Sequence, residues 1–213
     1  MILEKFNKIV IKIGSSSIVN EKTGKIKTRW LNSICSDIKK LSKKNIKIVV
    51  VSSGAIALGK KIISPNKIIR KLDEKQAAAA VGQIELAREW QMSLKKKGLN
   101  SAQLLITLDD SEVRRKYLNV RKTIASLHKN KIIPIINEND TVATEEIRFG
   151  DNDRLAARVS QMIDADLLIM LSNVNGLYSI NTSKNKNKLI SNITYIDDKI
   201  EKMAMEKHSN LGS

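Results

Sequence analysis

Lys12 stands two residues before Gly14, inside the apolar run Lys8 to Ile13 (KIVIKI). A lysine is rarely buried without a partner. On an edge strand it would face solvent; held at a strand end it would be a fixed cation able to meet a phosphate. Gly14 would let the backbone come close to such a group, and Ser15, Ser16 and Ser17 would offer N–H and hydroxyl donors. This is not the GxxxxGK[ST] phosphate loop, because here the lysine precedes the glycine. A second small-residue segment, Ser52-Ser53-Gly54-Ala55, joins an apolar run to a helix start. Such a place is either an anion site or a plain serine N-cap. It is not a GxSxG nucleophile elbow, since glycine does not flank the serine on both sides.

The densest polar segment runs from Ile135 to Ala157 (IINENDTVATEEIRFGDNDRLAA). It carries Asn137, Glu138, Asn139, Asp140, Glu145, Glu146, Asp151, Asn152 and Asp153, an acidic island in a chain of net charge +16. Carboxylates at Asp151 and Asp153 would suit a helix start, but capping explains one of the cluster and not all of it. The EF-hand spacing is absent. What remains is a site that grips an ammonium group, a metal, or lysines of the site itself. His128 and His208 have no metal-ligand partner in the sequence and read as structural. Cys35, Trp30 and Trp90 read as packing.

These residues need a frame, and the apolar periodicity supplies one. Short apolar runs at Lys8 to Ile13, Ile46 to Val51, Ser101 to Thr107, Lys131 to Ile136 and Asp166 to Leu171 read as strands. Helical spacing predicts helices over Thr28 to Lys44, from about Asp73 to Lys97, from Val113 to Leu127, and around Leu155 to Ile163. Strands alternating with helices predict an α/β fold, a three-layer αβα sandwich around a mainly parallel central sheet. Ligands in such sheets bind beyond the carboxyl ends of the strands. The segments that follow the strands are Gly14 to Ser17, Ser52 to Ala55, Asn137 to Asp140 and Ser172 to Gly176. Small, polar and acidic residues thus collect at one edge. No Pro/Gly/Ser linker divides the chain, which reads as one domain, and Asn181 to Lys188 (NTSKNKNK) reads as an exposed loop.

Composition narrows the classes. The chain has 213 residues, 42% hydrophobic and 28% charged, enough to bury a core. One cysteine rules out an internal disulfide framework and a cysteine-based zinc cluster. There is no apolar run long enough for a membrane span or, near Met1, for a signal-peptide core, so a cytoplasmic protein is expected. The 38 basic residues against 22 acidic ones raise the question of nucleic acid. Lysine, isoleucine and asparagine are the residues of AT-rich codons, however, and 3% aromatic content leaves few rings to stack on bases. Nucleic acid is therefore not the expected partner.

Taken in order, VIKIGSSSI at Val10 to Ile18, VVVSSGAIALG at Val49 to Gly59 and QAAAAVGQ at Gln76 to Gln83 resemble the amino acid kinase family. YLNVRKT at Tyr117 to Thr123, IPIINENDTVAT at Ile133 to Thr144, FGDNDRLAARV at Phe149 to Val159 and LSNVNGLY at Leu171 to Tyr178 continue the match. INENDTVAT followed by FGDND is the narrowest part and points to members that phosphorylate L-glutamate. The resemblance implies transfer of the ATP γ-phosphoryl group, with Mg²⁺, to the glutamate side-chain carboxylate, giving γ-glutamyl phosphate in the first step of proline synthesis. It implies that Lys12, Gly14, Ser15, Ser172, Asn173 and Ser213 face the nucleotide. Ser53, Gly54, Asp140 and Asn152 would hold glutamate, and Asp153 would organise the lysines around the transferring phosphate. The family often has Asp where this chain has Asn173. It also implies feedback inhibition by proline, a homo-oligomer, and hand-over of the acyl phosphate to a γ-glutamyl phosphate reductase. A Gly-Gly-Met segment with a lysine would follow Leu211-Gly212-Ser213, so the kinase domain is expected to be incomplete at its C-terminal end and to lack the PUA domain many members carry. The competing expectations are an impaired glutamate- or proline-binding remnant, and a family member acting on uridylate or acetylglutamate.

Overall fold

A computed structural model describes residues 2–20, 22–65, 69–143, 151–179 and 188–205. The chain forms two compact units, Met1–Ser172 and Asn173–Ser213. In the first unit five strands make the central sheet: β1 (Lys8–Ile13), β4 (Lys47–Ser52), β5 (Asn100–Ile106), β6 (Ile132–Glu138) and β7 (Leu167–Leu171). Their order is β5-β6-β4-β1-β7, and every adjacent pair is parallel. A small antiparallel ribbon, β2 (Val19–Asn20) with β3 (Lys25–Ile26), follows the one-turn helix α1 (Ser15–Ile18). The longer helices are α2 (Thr28–Ser42), α3 (Ala55–Ile63), α4 (Leu72–Lys95), α5 (Arg114–Lys129) and α6 (Asp151–Met162). Short 3-10 turns occupy Ile2–Lys5 and Asp109–Ser111. The second unit holds the antiparallel pair β8 (Tyr178–Ser179) and β9 (Lys188–Leu189), then α7 (Asp198–Met205).

Strand alternation sorts the first unit into two cores. Ile9, Ile11, Ile13, Ile48, Val50, Ile133 and Ile135 face one way, into a core shared with α2, α3 and α4. Val10, Val49, Val51 and Ile136 face the other way, into a core with α5 and α6. Apolar side chains on both faces are what a sheet covered by helices requires, and the three-layer expectation holds.

Two local features shape the first unit. Gly59 and Gly82 bring α3 and α4 into backbone contact: a Cβ on Gly59 would lie 1.8 Å from the Ala78 carbonyl oxygen, and one on Gly82 would lie 1.9 Å from that of Ala55. Pro134 lies inside β6, a position that normally costs a ladder bond. The β4 ladder opposite begins only at Ile135, so the missing N–H falls before that pairing starts.

The sequence periodicity places β6 over Lys131 to Ile136, but the strand runs on through Glu138. Asn137 is 3% exposed and Glu138 8% exposed, so these two polar residues are strand residues rather than part of the following loop. Their pairing with Leu105 and Ile106 of β5 continues the ladder and overrides their low strand propensity.

Candidate active site at the carboxyl edge of the sheet

β1 lies between β4 and β7, so Lys12 is on an inner strand, opposite Val51 and Met170. The solvent-facing edge reading is thereby excluded. Lys12 is 9% exposed and shares its sheet face with Val10, the face covered by α6. An uncompensated cation there would carry a large desolvation cost. The compensation comes from Asp153, in the first turn of α6, whose Oδ1 makes an ion pair with Lys12 Nζ. Gly14 follows directly. A Cβ at Gly14 would sit 3.6 Å from Lys12 Nζ and 3.7 Å from the Leu171 carbonyl oxygen. Its φ of −71° is ordinary, so the glycine matters for the clear space beside the ammonium and not for its backbone freedom.

The β4 end is built differently. Ser53 N–H donates to the Ile13 carbonyl at 3.0 Å, which keeps this turn against the end of β1. Gly54, at φ +119°, is the N-cap of α3 and makes no side-chain cap. A side chain there would be strained, and its Cβ would lie 3.1 Å from both Ile18 and Val19. The plain serine N-cap is therefore not realised. Behind the turn Ser52 and Trp90 are fully buried, and the Trp90 indole N–H donates to Ser52 Oγ at 2.9 Å.

The β6 end carries the acidic segment. Asp140 lies in the loop after the strand. Two glutamines of α4, seven residues apart, hold that segment at both ends. Gln83 Oε1 accepts from Asn137 Nδ2 at 2.6 Å, and Gln76 Nε2 donates to the Ala143 carbonyl at 3.2 Å. A cleft of about 250 Å³ opens there, lined by Ala79, Gln83, Gln103, Glu138, Asn139 and Asp140 among others. Asn137 Oδ1 and Asn152 Oδ1 are buried and find no hydrogen-bond partner among the described residues. Buried acceptors are normally satisfied, so two open ones at one edge mark a place that fits a donor-bearing ligand.

At β5 the edge is closed by reciprocal bonds: Thr107 N–H donates to Asp110 Oδ2 at 2.8 Å, and Asp110 N–H to Thr107 Oγ1 at 3.3 Å. Burial works to raise the Asp110 carboxyl, but the hydrogen-bonded Lys116 ammonium and the Thr107 donors outweigh it and hold the group below its usual range.

Lys12 and Asp153 are thus in direct contact, with Gly14 beside the ammonium. Ser15, Ser53, Gly54, Asp140, Asn152 and Ser172 stand at the same carboxyl edge of the sheet, within the first unit. Asn173 opens the second unit. Ser213, Glu145, Glu146 and His208 lie outside the described residues, as do positions 181–187 of the lysine-asparagine stretch. Sequence reasoning missed the roles of Gln76, Gln83 and Trp90; the seven-residue repeat of glutamine on one helix face was the available signal for the first two.

The sequence profile of the amino acid kinase family matches residues 7–211. Glutamate 5-kinase 1 of Rhizobium meliloti (strain 1021) is 51% identical over 203 residues, covering 95% of this chain and 51% of that protein. Glutamate 5-kinase of Bradyrhizobium diazoefficiens is 49% identical over 210 residues, covering 98% of this chain and 56% of that protein. The chain spans about half the length of the curated relatives it matches. Among solved structures, UMP kinase from Bacillus anthracis superposes with a TM-score of 0.59 at 12% identity, over 84% of this chain and 70% of that one, which shows a shared fold.

Proposed function

The chain belongs to the amino acid kinase family, and from that premise we propose that its carboxyl-edge site transfers the γ-phosphoryl group of ATP to the side-chain carboxylate of L-glutamate. The product is γ-glutamyl phosphate, the entry compound of proline synthesis, made in the cytoplasm. The observation that carries the reading is the buried Lys12 ammonium at the end of a central strand, aimed by Asp153 and left uncrowded by Gly14. The names of the relatives support the choice of acceptor.

The acceptor needs no general base. A glutamate side chain has a reference pKa of about 4.3 and is ionised at neutral pH. The obstacle is charge: an anion must approach a polyanion, so positioning and charge neutralisation carry the catalysis. Lys12 supplies a fixed positive charge beside the transferring phosphate. Asp153 keeps that ammonium from folding onto the strand end. Gly14, Ser15 and Ser172 form the nucleotide-facing group; Asn173 and Ser213 are assigned to the nucleotide by family resemblance alone. Asp140 takes the substrate's α-ammonium, and Ser53, Gly54 and Asn152 supply hydrogen bonds to glutamate. The open Asn152 Oδ1 fits that donor-bearing substrate.

Among the described residues no group of three His, Cys, Asp or Glu side chains gathers as a metal cage. In this reading Mg²⁺ arrives on the nucleotide's own phosphates, as this ion commonly does. Bound there, it would withdraw charge from the phosphate oxygens. The acyl phosphate product is labile, which favours hand-over to a reductase.

An acceptor panel tests the reading by ADP release with L-glutamate, N-acetylglutamate and uridylate. Glutamate is expected to be preferred. Preference for either of the others would overturn the assignment of the acceptor.

A further inference from the structure

The turn that carries Ser53 and Gly54 has a buried support that the phosphoryl-transfer chemistry does not itself call for. Trp90 and Ser52 are each 0% exposed, on α4 and at the last position of β4. An indole N–H is a donor only, so at 2.9 Å the Ser52 hydroxyl must accept from it. That leaves the hydroxyl's own proton free to donate, and the Ser53 carbonyl oxygen lies 3.2 Å from Ser52 Oγ. The direction of the chain is thus fixed by chemistry: indole to hydroxyl to carbonyl.

The carbonyl at its end belongs to the peptide that joins Ser53 to Gly54. Gly54 sits at φ +119° and ψ −5°. Glycine has no Cβ to bar rotation of the preceding peptide plane, so a Ser–Gly peptide flips more cheaply than others. The Ser53 N–H is held by the Ile13 carbonyl and the Gly54 carbonyl accepts from Leu58 N–H at 3.1 Å. The plane between those two anchors ends on a glycine, and the Ser52 hydroxyl donates to its carbonyl.

We propose that Trp90 and Ser52 are positioning residues: their hydrogen-bond relay locks the Ser53–Gly54 peptide in one orientation and so presets the turn that receives the acceptor substrate. The relay rests on the reading above, in which Ser53 and Gly54 hold glutamate. With the lock lost, only part of the population presents the competent turn, and apparent affinity falls by that fraction. Linked hydrogen bonds also polarise one another, so loss of the indole donor weakens the second bond.

Three variants and two readouts test it. Ser52→Ala removes the relay with little change in volume. Ser52→Thr keeps the hydroxyl. Trp90→Phe removes the donor and tests the first link. In steady-state assays, Ser52→Ala and Trp90→Phe are expected to raise the glutamate KM about tenfold. The ATP KM and kcat should stay near the parent values, with Ser52→Thr restoring the glutamate KM. A drop in melting temperature with an unchanged glutamate KM would overturn the proposal, because it would reduce the pair to satisfaction of a buried indole. NMR relaxation dispersion at the Gly54 amide reads the lock without turnover. Ser52→Ala is expected to introduce microsecond-to-millisecond exchange there that the parent and Ser52→Thr lack. A quiet Gly54 amide in Ser52→Ala overturns the lock, whereas exchange there in a protein with no glutamate turnover upholds the lock and overturns the substrate reading.

Discussion

Lys12 and Asp153 depend on each other unequally. The Lys12 side chain is 11% exposed and that of Asp153 is 42% exposed. Removing the lysine therefore leaves a carboxylate that water can reach, whereas removing the aspartate leaves a buried cation alone. Lys12→Met should fold with nearly the parent melting temperature yet lose on the order of 10²–10³ in kcat, the usual scale for one electrostatic donor at a transition state. Asp153→Ala should cost about 3 kcal/mol of stability, the low end for stranding a buried charge, read by urea unfolding. Asp140→Ala should weaken glutamate binding by about 1.5–3 kcal/mol in calorimetry while leaving ATP binding nearly unchanged. Equal losses for both ligands would count against ammonium pairing at Asp140. Much of this scale was legible in the sequence, because a lysine in an apolar strand and an acidic island in a basic chain are both anomalies. Trp90 was not legible: a buried tryptophan reads as packing, and only the fold reveals that its N–H meets Ser52, 38 positions away.

The helix pair α3 and α4 is the element on which the site rests. α3 starts at the Gly54 turn, and α4 carries Trp90 behind that turn and Gln76 and Gln83 beside the Asp140 loop. Their approach depends on Gly59 and Gly82, where an added Cβ would strike backbone atoms rather than a side chain that can rotate away. Gly59→Ala or Gly82→Ala should therefore force the helices apart and cost about 3 kcal/mol, the upper end for overpacking. For a chain of this length that corresponds to a fall in melting temperature of about 6–12 °C by calorimetry. Unchanged melting in both variants would contradict the close approach. The strand and helix positions were mostly legible, since a period of two or of 3.6 residues survives in the sequence. Strand β6 was cut short because Asn137 and Glu138 look like loop residues, and their burial is set by the neighbouring strand and by Gln83, which no local pattern records.

For the whole molecule, titration sets two limits on stability. Backbone N–H groups of Lys8 and Asn7 hold the Asp166 carboxyl below its usual value, and Lys116 and Thr107 do the same for Asp110 against the opposing effect of burial. A lowered carboxyl contributes stability that is present above its unfolded pKa and lost as pH falls through the folded one. The urea midpoint should accordingly drop below about pH 4, and Asp166→Asn should flatten that drop. On the alkaline side, burial pushes the Cys35 thiol from 9.0 up to about 12, against the opposing pull of the Lys97 charge. That stability is complete below pH 9.0 and is lost as pH rises through about 12. At pH 8 Cys35 should react with a thiol reagent only after unfolding; prompt reaction in the native state would contradict its burial. The net charge of +16 was legible from composition, but its balance against the acidic edge appears only once β6 and α6 are placed.

The proposed activity of this edge is formation of an acyl phosphate on glutamate. Hydroxylamine traps such a product, so the direct measurement is hydroxamate formed from L-glutamate, ATP and Mg²⁺ with this protein. A signal that requires both glutamate and ATP and disappears in Lys12→Met is expected. Absence of any glutamate-dependent hydroxamate, or a signal that survives loss of Lys12, would contradict it.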